Sequence, residues 1–215
     1  MNQFKIRCSA INSIMTKPKK DRLVSAGAET YCKKWYTEQV YERKEQVYSK
    51  YMEKGNETEN ESIDFISNYL QLGSLIKNDE YFSNDFITGT PDVITDNKII
   101  EIKNSWNCFT FPLLETEIPN KGYYYQAQGY MHLTGLKKAK LIYTLMNTPE
   151  HLIEKEYNPF KSDENYEDFR EKYLFSNIEH QYRIKTFDIS YDEEVIENII
   201  DRVNACREYI ETIKI

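Results

Sequence analysis

Apolar positions along this chain switch between two periods. Between residues 26 and 53, Tyr31, Trp35, Val40, Tyr41, Val47, Tyr48 and Tyr51 recur among charged positions at roughly helical spacing, which predicts one long helix with a packing face rather than a base-stacking platform. A second helix is predicted over 57–72, burying Ile63, Ile66 and Leu70. The period then shortens. Val93-Ile94 and Ile99-Ile100 flank Asp96-Asn97, a pair suited to a two-residue turn because Asn and Asp tolerate left-handed backbone, so residues 93–103 read as a tight β-hairpin. An irregular stretch holding Pro112 and Pro119 follows, then a helix from 123 that stops at Gly135. Beyond it, 139–145 reads as a strand and 147–180 as an insertion with one helix near 166–175. Residues 182–189 alternate as a strand, and 193–213 read as a final amphipathic helix. The pattern predicts one α/β domain over 1–215, a small mixed sheet flanked by helices, with no internal repeat, low-complexity tract or linker.

Composition narrows the class. A chain of 215 residues can bury one substantial core, and 14% aromatic content, carried mainly by 18 tyrosines, is not that of a disordered chain. No apolar run approaches the roughly 18 residues needed to cross a bilayer, and Met1-Asn-Gln-Phe-Lys5 does not open as a secretory signal; a cytoplasmic protein without a membrane partner is expected. Cys8, Cys32, Cys108 and Cys206 are scattered, with no close pair of the zinc-ribbon or redox kind, so free thiols in a reducing compartment are expected.

The net charge of −7 conceals an asymmetry: residues 1–54 carry twelve Lys and Arg against six Asp and Glu, a net +6. Lys17-Pro-Lys-Lys20, Lys33-Lys34 and Lys137-Lys138-x-Lys140 are candidate contacts to a phosphate backbone, where binding is driven by counterion release. The acidic stretch 150–171 is expected to face away from nucleic acid or to form a partner surface.

The hairpin holds the most specific chemistry. With 96–97 as its loop, Ile94 faces Ile99, Val93 faces Ile100 and Asp92 faces Glu101. The period-2 rule puts Lys103 on Glu101's face. Two carboxylates opposed across a sheet repel each other, unless a divalent cation lies between them. Carboxylate oxygens suit a hard ion such as Mg²⁺, with Mn²⁺ as a substitute. Lys103 is then within reach of a metal-bound water or a phosphate oxygen, where it could orient a nucleophile or stabilise developing charge. The combination points to metal-assisted phosphodiester hydrolysis; on a solvated hairpin the same residues would merely face water.

Pro91-Asp92, eight residues, then Glu101-Ile102-Lys103 resembles the PD-(D/E)XK nuclease signature. The resemblance implies a restriction-endonuclease-like core in which Asp92 and Glu101 are metal ligands, the Ile102 carbonyl a further ligand, and Lys103 the catalytic lysine. Upstream, Lys54-Gly55-Asn-Glu-Thr-Glu59-Asn-Glu61 resembles the Gly-x-x-x-Glu helix entrance of the phage lambda exonuclease and YqaJ-type viral recombinase branch. There Glu59 would complete the metal and catalytic cluster, with Glu61 as reserve. Acids in a first helical turn also complement the dipole, which accounts for the same residues without a metal.

Downstream, Tyr123-Tyr-Tyr-Gln126-Ala-Gln128-Gly-Tyr130 resembles the Gln-containing helix that follows the catalytic hairpin. Gln126, Gln128 and Tyr130 become candidate substrate contacts, and Gln126 and Tyr130 share a helical face. Phe4-Lys-Ile-Arg7-Cys-Ser9 resembles the opening segment of the YqaJ-type group, with Arg7 and Ser9 as phosphate contacts. The likeness covers about residues 55–145. It implies a Mg²⁺-dependent 5′→3′ exonuclease on double-stranded DNA, acting in phage-type recombination with a single-strand annealing protein, and a ring-shaped homotrimer. An endonuclease on the same core, or a non-catalytic DNA-binding or interaction module, are the competing readings.

Overall fold

In the computed structural model, which describes residues 3–213, the chain opens with β1 (Ile6–Arg7), a 3₁₀ turn (Cys8–Ser13), α1 (Ala26–Tyr41) and α2 (Lys50–Tyr69). β2 (Phe82–Ser83), β3 (Ile87–Gly89), β4 (Val93–Ile94) and β5 (Ile99–Asn104) follow, then α3 (Lys121–Thr134) and β6 (Lys138–Thr144). The chain closes with α4 (Glu150–Glu156), α5 (Tyr166–Glu171), a short 3₁₀ turn (His180–Tyr182), β7 (Ile184–Ser190) and α6 (Glu193–Glu211).

The main sheet has the order β4-β5-β6-β7, and β1-β3-β2 forms a smaller one. β5 and β6 run parallel from Ile99↔Ala139 to Asn104↔Thr144. A parallel pair needs a crossover, and α3 supplies it. β7 returns antiparallel along β6. Alternation along β5 divides the interior. Ile99 joins the large core with Ile87, Met131, Leu141 and Ile199, whereas Ile100 and Ile102 join Ile63, Ile66, Val93 and Ile142 beneath α2.

This is a single α/β domain with mixed sheets flanked by helices, as the residue pattern predicts, and three boundaries move. The helix expected over 26–53 breaks: Glu42 takes a left-handed conformation at φ 50°, and Ser49 caps a new start by accepting a hydrogen bond from the Tyr51 amide at 3.2 Å. The helix expected over 57–72 is the later part of the 20-residue α2. The aromatic stripe divides with it, since Tyr31 and Trp35 pack on the core while Val40, Tyr41, Val47, Tyr48 and Tyr51 are exposed. The 147–180 region holds two short helices, α4 and α5, where one was expected. Gly135 ends α3 at φ 76°, as expected for a glycine helix stop. The four cysteines are free thiols. Among the described residues no helix is long and apolar enough to cross a membrane; Met1 and Asn2, where the leader was sought, lie outside them.

Candidate active site

The hairpin forms in the expected register, Val93↔Ile100 and Ile94↔Ile99, and the Thr95 amide donates to the Lys98 carbonyl at 3.0 Å. Its turn is built differently. The described non-glycine residues with positive φ are Asp21, Glu42 and Gln71, so Asp96 and Asn97 are not left-handed. The Thr95 hydroxyl closes the turn instead, donating to the Lys98 carbonyl at 2.9 Å and accepting from the Lys98 amide at 3.2 Å.

The ladder stops at Val93, so Asp92 does not pair face to face with Glu101. Its side chain turns across the open strand edge, where Oδ2 accepts from the Ile102 amide at 2.7 Å. Glu101, 1% exposed, faces α3. Its Oε1 accepts from Lys103 Nζ at 2.5 Å and from Gln126 Nε2 at 2.7 Å, while Oε2 is buried with no hydrogen-bond partner. Gln126 Nε2 also donates to the Tyr130 hydroxyl at 3.0 Å. Two glycines let α3 press this close. A Cβ on Gly129 would lie 2.8 Å from Cys8 Sγ and Ile11 Cδ1, and one on Gly89 would lie 2.6 Å from the Tyr130 ring.

Burial raises the Asp92 carboxyl above its usual range, against the pull of Lys103 and the Ile102 amide. Glu101 is pushed up to about 8, by burial first and then by Asp92, with Lys103 opposing. Burial alone would lower the Lys103 ammonium, but Glu101 and Asp92 together hold it above the ordinary lysine range. Two buried carboxylates with one ammonium therefore keep a proton near neutral pH. An oxygen-seeking dication beside the orphaned Oε2 is the chemical alternative to that proton.

Asp92, Ile102 and Lys103 open onto a cavity of about 430 Å³ whose aromatic wall is Tyr51, Trp106, Tyr123 and Tyr143. Glu59 lines it from the opposite side, with Oε2 2.6 Å from Lys77 Nζ. Glu59 lies well inside α2, as its tenth residue rather than at a helix entrance, so the first-turn dipole account does not apply to it. Its charge reaches Asp92 and Glu101, while that of Glu61 reaches Lys54 and Arg183. Between the two glutamates, Glu59 is the one on the cavity.

Other candidates separate cleanly. Gln126 and Tyr130 are buried away from open space: Gln126 bonds the acid, and Tyr130 bonds Gln126. Gln128 belongs elsewhere: its amide donates to the Ser190 carbonyl at 2.8 Å and accepts from the Asp192 amide at 2.9 Å, splicing β7 to α6. Two residues from Gln126, it points to another helical face. Arg7 lies beside Tyr31, Ser9 is exposed on the 3₁₀ turn, and neither lines the cavity. Lys33, Lys34 and Lys140 are paired with Glu29, Glu45 and Asp188, and Lys137 covers the Tyr191 ring.

Sequence reasoning missed Lys77, which has no local signal, and the buried Lys54, because lysine is rarely fully buried. It also missed Glu53, Glu57 and His151, whose ligand atoms gather within 4.8 Å of one another. That group is exposed, and Lys155 already neutralises Glu53 at 3.0 Å. Glu59, Asp92 and Glu101 are not gathered to that degree, with Lys77 on Glu59 and Lys103 on Glu101.

No protein-family model and no curated protein matches the chain. Solved structures do. A phage-related exonuclease from Haemophilus somnus 129PT is 29% identical with a TM-score of 0.82, covering 98% of this chain and 95% of its own. The alkaline exonuclease LHK-Exo from Laribacter hongkongensis is 18% identical with a TM-score of 0.63, over 96% of this chain and 88% of its own. The same enzyme in complex with dAMP gives 19% and 0.64. Over nearly its whole length, the chain has the lambda-exonuclease-like PD-(D/E)XK fold of these structures.

Proposed function

We propose that this chain is a metal-dependent deoxyribonuclease, a 5′→3′ exonuclease acting on duplex DNA. The observation that carries this reading is the buried Asp92–Glu101–Lys103 cluster with Glu101 Oε2 unpartnered, reaching a cavity through Asp92 and Lys103. Asp92 and Glu101 would hold a Mg²⁺ or Mn²⁺ ion. The Ile102 carbonyl would join them, because it faces the same open strand edge as the amide that Asp92 caps. Glu59 would complete the set from α2. When bound, the ion supplies Lewis-acid stabilisation of the phosphate and a more acidic water.

The remaining work falls to the chain's own groups. Lys103, held charged by its two acidic neighbours, presents an ammonium to a phosphate oxygen or to the attacking water at the cavity wall. Gln126 holds Glu101 from behind with a neutral donor, and the Tyr130 hydroxyl, accepting from the same amide, steadies Gln126, so neither adds charge to a site that already resists it. The similarity to the phage-related exonuclease and the dAMP complex of the Laribacter enzyme support DNA as substrate and removal of terminal nucleotides as the reaction. The direction, the recombination role with an annealing partner, and a ring-shaped trimer follow from the lambda-type resemblance.

End-labelled linear duplex tests the reading. With Mg²⁺, a 5′ label should be released as mononucleotide before a 3′ label, and a covalently closed circle should survive. Cleavage of the circle would favour an endonuclease. No hydrolysis of any DNA with either metal would overturn the proposal in favour of a non-catalytic module.

A further inference from the structure

The α2–sheet interface contains a polar device that the proposed chemistry does not use. Lys54 is fully buried, and its Nζ donates to the Ser105 carbonyl at 2.8 Å and the Trp106 carbonyl at 3.0 Å. Among the described residues no carboxylate lies within ion-pair distance of it. One and two turns on, Thr58 and Ser62 lie on the same helical face, both buried. Ser62 Oγ donates to Asn104 Oδ1 at 2.6 Å, Thr144 bonds both Ser62 and Asn104, and the Asn104 amide reaches the Gly55 carbonyl at 3.5 Å. The helix therefore docks on Asn104, Ser105 and Trp106, the three residues that directly follow Lys103.

Burying an ammonium is costly, and an apolar side chain would fill the space at less expense. Directional bonds provide what apolar contact cannot. Ile63 and Ile66 would tolerate a slide of α2 along the sheet, because burial is non-directional. Hydrogen bonds of 2.6–3.0 Å tolerate no shift approaching the 1.5 Å rise of one helical residue. Five residues after Lys54 comes Glu59.

We infer that Lys54 is a positioning residue: its clamp on the Ser105 and Trp106 carbonyls fixes the axial register of α2 and so holds Glu59 within reach of the Asp92–Glu101 pair. This rests on the metal-nuclease reading for what the register serves. Burial excludes Lys54 from contacting DNA directly.

The test compares the full-length chain with Lys54→Met and Ser62→Ala, measuring Mn²⁺ affinity by calorimetry and the melting temperature of the metal-free proteins. Lys54→Met should weaken Mn²⁺ binding by about 10-fold or more, as outer-shell changes do, while its metal-free melting temperature holds or rises, as when a buried ion is replaced by an apolar isostere. Ser62→Ala should weaken Mn²⁺ binding in the same direction by a smaller factor. A merely structural lysine would show the opposite pair, a lower melting temperature with unchanged Mn²⁺ affinity in the folded fraction. Wild-type affinity in folded Lys54→Met, or in Ser62→Ala should the first variant not fold, overturns the inference alone. A wild-type chain that binds no Mn²⁺ overturns the nuclease reading and this inference with it.

Discussion

α2 and α3 approach β5 from opposite faces, and they support the same site by opposite means. Strand alternation sends Ile99 and Glu101 toward α3, and Ile100, Ile102 and Asn104 toward α2. α3 packs dry. Gly129 removes the side chain where Cys8 and Ile11 press in, and α3 offers Glu101 a neutral amide that is itself braced by a phenol. α2 packs through hydrogen bonds from Lys54 to Ser62 and through apolar contacts from Ile63 onward, and leaves Glu59 half-buried on the cavity against Lys77. A buried carboxylate tolerates neutral support more readily than further charge, whereas a charge meant to meet substrate needs solvent and a mobile partner. On the proposed reading, the dry face orients the acid and the wet face would admit metal and substrate.

The largest effect should come from the residue that joins the two faces. Lys103 touches Glu101 on the dry side and lines the cavity on the wet one. Lys103→Ala should lower turnover by about 10²–10⁴-fold with DNA affinity within a few-fold of wild type, measured by single-turnover cleavage and by binding in Ca²⁺. Wild-type turnover at matched folding would remove Lys103 from the chemistry.

Titration separates the faces next. In the metal-free chain Glu101 titrates at about 8 instead of 4.5. Between those values the folded chain keeps a proton that the unfolded chain releases, so stability falls as pH rises through the window and levels beyond it. Lys54, lowered by burial from 10.5 to about 7, acts the other way. Between 7 and 10.5 the unfolded chain holds the extra proton, and stability rises with pH. Each slope is worth roughly 1–3 kcal/mol after structural relaxation. Urea unfolding from pH 5 to 10 should show the acid slope lost in Glu101→Gln and the alkaline slope lost in Lys54→Met. Retention of both slopes in both variants would refute the assignment.

These contrasts also mark how far the residue pattern could be read. The hairpin was legible because its two strands are adjacent in the chain, and turn spacing alone fixes Val93 against Ile100. What Asp92 does at the end of that ladder was not, since it depends on where β4 stops. Gln126 meets Glu101 only through the parallel β5–β6 crossover, yet shared motif order in the resembling nucleases placed it near the site. The break after Tyr41 carries no Gly or Pro to announce it. Lys54 was invisible for a plain reason: the carbonyls that hold it are 51 and 52 residues away.

Breaking the dry face should cost stability before chemistry. Gly129→Val adds atoms where the first carbon alone would lie 2.8 Å from two side chains. Overpacking of this kind costs about 1–3 kcal/mol, read as a lower urea midpoint, and turnover should fall with it because the same helix turn carries Gln126 and Tyr130. An unchanged midpoint would show that α3 is free to back away from the 3₁₀ turn.

The smallest catalytic effect should come from Gln128, two residues from Gln126 and on the same helix. Motif position makes both glutamines substrate contacts; their hydrogen bonds divide them. Gln128→Leu strands the Ser190 carbonyl and the Asp192 amide, a loss of about 1–3 kcal/mol, yet turnover per folded molecule should match wild type. Gln126→Leu strips one of two donors from Glu101 Oε1 and should weaken Mn²⁺ binding by about 10-fold. Measured side by side at a temperature where both variants are folded, equal losses of turnover would mean that α3 acts on the site as a rigid whole. Loss in the Gln126 variant alone would localise its contribution to the turn that faces β5, where the amide of Gln126 and the carboxylate of Glu101 meet.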